Sequence, residues 1–180
     1  RLFVLGNGPS LTISDLKKLK NEITIGSNGL FLAFDEMGFL PHFFTVEDRL
    51  VAEDRADTIN NIKGTHKIFP SDLSQVLKHD SFTLYVNFIR QYKGFPKFSK
   101  NFYDAVFWGG TVTMFNLQLA YYLGSREIYL LGVDHSYLNP QKGDQVSGNI
   151  IKSNNPDKNH FHPQYFGPGF RYHDPKVDRM

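Results

Sequence analysis

Residues 2–11 read LFVLGNGPSL, an apolar run of four residues that passes directly into a glycine turn. A short, continuously apolar run is what a strand covered on both faces requires. Gly6 and Gly8 stand where the first two glycines of a dinucleotide-binding loop stand, and Leu11 stands in place of the third. The third glycine of that loop lets the following helix approach the strand closely. Leucine there predicts a helix packed differently, and a nucleotide smaller than a dinucleotide. Thr12 and Asp15 form a T-x-x-D capping box that opens this helix.

Outward from this turn the chain alternates strand and helix. Strands are predicted at residues 2–5, 22–26, 43–46, 66–69, 103–108 and 127–133, with EIYLLGV (127–133) the clearest buried strand; FTLYVNF (82–88) is a further candidate. Helices are predicted at 30–37, at 49–62, and from Thr111 to a stop at Gly124. Residues 71–102 are less regular, and YKGFPKFSK (92–100) reads as a loop. Residues 139–159, rich in Asn, Pro, Gly, Lys and Asp, read as a flexible loop or lid. The ring- and histidine-rich segment 160–175 follows and is expected to complete a site. The predicted fold class is α/β: a Rossmann-like sandwich with a mostly parallel sheet flanked by helices, one domain over residues 1–180. In such sheets ligands bind beyond the carboxyl ends of the strands. Residues 6–10, 27–29, 47–48, 109–110 and 134–137 all fall at such ends.

The balance of 20 Lys and Arg against 18 Asp and Glu is no signature of nucleic-acid binding. With no cysteine, disulfides, zinc–cysteine sites and thiol nucleophiles are excluded, and a reducing, cytoplasmic setting fits. No apolar run is long enough to span a bilayer. The chain opens at Arg1 already inside a strand-like run, as a fragment would. Its 17 Phe and 9 Tyr read first as core, and in part as a ring-lined pocket.

The residues at the strand ends suggest their chemistry. Gly6 and Gly8 let a ligand approach the backbone, Ser10 adds a hydroxyl, and helix-terminal amides favour a phosphate. Asn7 can donate and accept, as recognition of a base or ribose demands. Asp134 either caps its own turn or orients a ligand. Glu47 and Asp48 either take a ribose or magnesium, or form a polar strand exit. His160 and His162 form an H-x-H pair that would face one side of a strand. No third ligand lies nearby, so a general base is favoured over a metal site. The chain has no Walker-type phosphate loop, no H-E-x-x-H, no G-x-S-x-G and no Asp-x-Asp pair, which favours a metal-free site.

LGNGPSL, SNG (27–29) and YYLGSREIYLLGVD (121–134) together resemble the bacterial lipooligosaccharide sialyltransferases. They equally resemble a domain family related to 6-hydroxymethylpterin diphosphokinase, often found beside surface-polysaccharide genes. WGGTV (108–112) is closer to the second pattern. The resemblance covers about residues 2–137. It implies that Gly6, Asn7, Ser10, Asn28 and Asp134 hold a nucleotide, and Gly8, Asp48, Gly109, Gly110 and Thr111, at the same strand ends, complete the expected nucleotide site. It also implies that His160 or His162 acts as base and that Tyr137 stabilises the departing phosphate. The third strand ends in Glu47–Asp48, where the sialyltransferases place an asparagine. The implied function is a metal-independent, nucleotide-sugar-dependent glycosyltransferase of surface glycan synthesis. Its donor would be a CMP-sugar or another nucleotide-sugar and its acceptor a glycan, with no other cofactor. The alternatives are a pterin-type diphosphokinase using ATP and magnesium, and a non-catalytic nucleotide-binding module. Peripheral association with the inner face of the membrane and a homo-oligomer complete the expectations.

Overall fold

The computed structural model describes residues 1–138 and 140–175. The chain order is β1 (Leu2–Leu5), α1 (Ile13–Lys17), β2 (Thr24–Ser27), α2 (Phe34–Met37), β3 (Phe43–Thr45), α3 (Arg49–Asp54), α4 (Ala56–Asn61), β4 (His66–Pro70) and β5 (Thr83–Val86). It continues with β6 (Phe88–Ile89), β7 (Val106–Phe107), α5 (Val112–Tyr122), β8 (Ile128–Leu131), β9 (Gln145–Ser147), β10 (Ile150–Lys152) and β11 (Arg171–His173). Six strands form one sheet in the order β5-β4-β3-β2-β1-β8, and every pairing in it is parallel. The fold is therefore α/β and Rossmann-like.

Side chains alternate across the sheet as the strand period dictates. Leu2 and Val4 face α5, in a cluster with Ile25, Ile68, Phe115 and Leu119. Leu5 faces the other way, with Leu11, Leu16, Leu30 and Met37. Farther along that second face, Phe44 and Phe69 pack with Val51 and Ile59 of α3 and α4. Leu11 is buried, and its Cβ occupies space 2.8 Å from where a side chain at Gly132 would begin. The leucine in the third-glycine position thus fills the wedge between the first turn and the end of β8.

Several boundaries depart from the sequence reading. β8 is not buried: it is the edge strand, paired among the described residues with β1 alone, and Tyr129 and Leu130 are 44% and 47% exposed. The helix expected at 49–62 breaks at Arg55, whose backbone (φ −122°, ψ 13°) leaves the helical region. The segment expected as an irregular loop carries β9 and β10, which join β11 in a three-stranded antiparallel sheet. Position 139 and residues 176–180 of the expected domain lie outside the described residues. His160 and His162 lie on no strand, so the one-sided H-x-H geometry does not arise.

The strand order positions the site. From β1 the chain crosses to β2, β3, β4 and β5 on one side, then returns to place β8 on the other. The order reverses between β1 and β8, and a crevice opens there beyond the strand ends.

Candidate functional site

A cavity of about 830 Å³ fills this crevice and runs on beneath the antiparallel sheet. From the sheet's carboxyl edge it is lined by Gly6, Asn7 and Gly8 after β1, Asn28 after β2, and Asp48 after β3. Gly109, Gly110 and Thr111 ahead of α5 line it too, as do Asp134 and Tyr137 after β8. His160 closes it from the aromatic segment. Ser10 and His162 are not among its walls. His162 is spent in a tight turn, its Nδ1 accepting from the Gln164 amide at 3.2 Å.

The first glycine turn is already engaged. The Gly6 amide donates to Leu131 O (2.7 Å) and the Gly8 amide to Gly132 O (2.8 Å). The Ser10 amide donates to Asp134 Oδ2 (2.9 Å), and the Ser10 hydroxyl donates to Asp134 Oδ1. Gly8 is glycine for this reason, since a Cβ there would land on the Asp134 carboxylate. Asp134 thus takes the role of turn cap, as an internal anion where the sequence allows a phosphate. The turn ahead of α5 is different. Gly110 adopts φ 85°, which favours glycine. Thr111 caps Thr113 N, and α5 is 11 residues long. Its amino end borders the cavity, and the positive end of a helix favours an anion.

The two asparagines act as braces with spare capacity. Asn7 Nδ2 donates to Ser27 O (3.2 Å), and the Asn7 carbonyl accepts from the Phe161 amide (2.9 Å). Asn28 holds a left-handed φ of 50°, a conformation asparagine tolerates better than most residues. Asn7 Oδ1 and Asn28 Oδ1 are both buried without a hydrogen-bond partner among the described residues. Two orphaned acceptors beside one cavity match a ligand that brings N–H or O–H donors.

The residue pattern did not reveal Asp157. Its carboxylate meets His160 Nδ1 at 2.8 Å and accepts from the Asn159 (2.7 Å) and Phe166 (2.9 Å) amides. Burial pushes this carboxyl up, but the imidazole and the two amides outweigh it, and its pKa lies below the ordinary value. The His160 ring stacks on Tyr165 with centroids 3.9 Å apart and planes 3° apart. Tyr137 stands edge-on to His160 at 6.4 Å. Burial, with Asp157 and Asp134 nearby, pushes the Tyr137 phenol up, so it stays protonated near neutrality and can donate. Tyr165 in turn rests against Gly29, where a Cβ would collide with its ring.

The aromatic segment is tethered to α3 and α4, against which its Phe166 packs. Arg55, at the break between α3 and α4, donates to the Gln164 (2.5 Å) and Tyr165 (2.9 Å) carbonyls, and its guanidinium lies 3.4 Å from the Phe170 ring centroid. Arg171 of β11 pairs with Asp54 and Glu53 of α3. Asp48 caps α3 through Leu50 N (2.7 Å) and Val51 N (3.2 Å), and its other oxygen meets His173 Nδ1 at 3.0 Å. That hydrogen bond raises the His173 pKa. Glu47 is buried beside Asp48. Burial, and then the Asp48 charge, pushes its carboxyl up to about 7, while Arg90 opposes the shift. Among the described residues, no group of three or more Asp, Glu or His side chains assembles as a metal site.

These residues line one crevice at the carboxyl edge of a nucleotide-binding-like α/β fold, with a carboxylate-held imidazole among them. A family model described as 6-hydroxymethylpterin diphosphokinase MptE-like matches residues 1–140. The chain belongs to the MptE-like family. The match spans the parallel sheet and both glycine turns of this MptE-like chain, and stops before Asp157 and His160. Searches of curated proteins and of solved structures return no match. No helix among the described residues is long and apolar enough to cross a membrane.

Proposed function

We propose that this MptE-like chain is a transferase that moves an activated group from a nucleotide-linked donor to an acceptor hydroxyl, with His160 as general base. The supporting observation is the Asp157–His160 pair facing the same cavity as the glycine turns and the amino end of α5. With Nδ1 held by the carboxylate, Nε2 is the nitrogen left to take the acceptor proton. The deprotonated oxygen attacks the donor, and the nucleoside phosphate leaves toward the α5 amides and the Tyr137 hydroxyl. Asn7 and Asn28 offer their free acceptors to the donor's base or ribose. In the glycosyltransferase form of this reading the donor is a nucleotide-sugar such as a CMP-sugar, the acceptor is a surface glycan and no metal is needed.

The family description favours a second form, transfer of a diphosphoryl group from ATP to a hydroxymethyl group. It would use the same base, and Asp48 and Asp134 would meet a magnesium ion carried with the nucleotide. The two forms part in a thermal-shift titration with CMP, CDP, UDP, GDP and ATP, each with EDTA and with magnesium. A ligand at a hundredfold its Kd adds about 2.7 kcal/mol, or roughly 5–10 °C for a domain of this size. Stabilisation by a pyrimidine or guanosine nucleotide in EDTA supports the glycosyltransferase form. Stabilisation by ATP alone, lost with EDTA, supports the diphosphokinase. No shift with any of them overturns both.

A further inference from the structure

The loop between β6 and β7 serves none of this chemistry. Residues 92–103 read YKGFPKFSKNFY, rings and lysines interleaved. Phe95, Phe98 and Tyr103 are exposed at 42%, 43% and 83%. The apolar surface continues onto the end of α5, where exposed Tyr121 meets Phe98 edge-on at 5.6 Å. Lys93, Lys97 and Lys100 are all exposed, and the sequence holds no acidic residue from position 81 to 103. Asp104, just beyond, is bonded to the Asn101 side chain at 2.6 Å. Lys97 Nζ lies 5.6 Å from the Tyr92 and Phe107 ring centroids, within reach of both rings.

The loop is held in this shape. The buried Gln118 side chain accepts from Ser99 N (2.9 Å) and Phe107 N (3.1 Å) and donates to Phe107 O (2.8 Å). A fixed loop that presents bare phenylalanines among cations leaves apolar area in water for which the fold itself has no use.

We propose that this loop docks the protein on an anionic lipid surface. Its rings enter the headgroup region, and its three lysines meet the lipid charge. Uncompensated positive charge selects an anionic partner, and exposed phenylalanine selects one with an apolar interior. A bilayer surface supplies both. Trp108 lines the cavity and touches Phe95 at 5.7 Å, so docking brings the cavity mouth to the bilayer, where a lipid-linked acceptor would be presented. The inference goes beyond the transfer reading and does not depend on which donor is used.

Co-sedimentation with phosphatidylcholine vesicles, with and without phosphatidylglycerol, tests it. The chain should sediment with the phosphatidylglycerol vesicles, less so at high salt, and should ignore the neutral ones. The triple variant K93Q/K97Q/K100Q should bind roughly 100-fold more weakly, and F95S/F98S should also lose binding. The lysine positions are exposed, so the triple variant should keep its melting temperature and its nucleotide-induced shift. It therefore decides the matter even if the phenylalanine variant unfolds. Failure to bind phosphatidylglycerol vesicles, equal binding to neutral vesicles, or full affinity in the lysine variant overturns the proposal. So does an oligonucleotide that binds this loop while phosphatidylglycerol vesicles do not.

Discussion

Gly8→Ala isolates the clamp between the first turn and the end of β8. Gly8 does not adopt positive φ, so alanine adds no backbone strain, and the cost arises from the new Cβ. That Cβ lands on the Asp134 carboxylate and comes within 3.0 Å of Gly132 O. Asp134 must rotate away and release the Ser10 amide and hydroxyl. Hydrogen bonds to a charged group are worth about 1.5–3 kcal/mol each when buried. These are partly exposed, so the pair is expected to contribute about 1–3 kcal/mol in all. Gly8→Ala should therefore cost about what Asp134→Ala costs. In the Asp134→Ala background the added cost of Gly8→Ala should fall below about 1 kcal/mol, because the obstructing carboxylate is gone. Urea unfolding of the two single variants and the double variant closes the cycle. Equal cost of Gly8→Ala in both backgrounds would refute the argument that Asp134 is the reason for the glycine.

Further outcomes follow from the charged groups. Asp80→Asn leaves Lys67, whose side chain is 1% exposed, without its 2.7 Å partner and should cost about 3–5 kcal/mol in denaturant unfolding; the double variant with Lys67→Met should recover most of that. Once a donor is identified, His160→Ala should lower kcat by about 10²–10⁴, and Asp157→Asn should lower it less, with KM for the donor little changed in either. Glu47 holds a proton in the folded state up to about pH 7, whereas the unfolded chain releases it near 4.5. Stability should therefore fall as pH rises from about 4.5 to 7. Glu47→Gln should remove that slope and be the more stable form at pH 8, as melting temperatures across the range would reveal.

The sheet was legible because its signals are local. The continuous apolar run of β1, the Thr12 cap and the glycine stop at Gly124 (φ 76°) need no knowledge of distant partners. β8 misled for a physical reason. A run such as EIYLLGV records apolar content, but whether both faces are covered depends on which strand ends at the sheet edge. The cap was hidden because β9, β10 and β11 are three residues each, below the length at which alternation registers. Of the site, the turns were readable from glycine spacing. Asp157 was not, because one aspartate in a polar segment carries no spacing signal until its histidine is folded against it. The fold gives His160 a carboxylate partner and His162 a backbone amide, a difference that the H-x-H spacing does not carry.

Arg55 gives these parts a shared dependence. It interrupts the α3–α4 helix on one face of the sheet and grips the backbone of the very segment that stacks on His160. The crevice at the sheet's carboxyl edge and the segment that carries His160 come from different parts of the chain, joined by Arg55, by the Phe161–Asn7 backbone hydrogen bond, by Tyr165 on Gly29 and by the charged seam with β11. Under the proposed function, a relative could keep the whole parallel sheet, exchange everything after residue 140, and so keep the donor while acquiring a different reaction. In this architecture the specificity for donor and the choice of chemistry can evolve on different schedules.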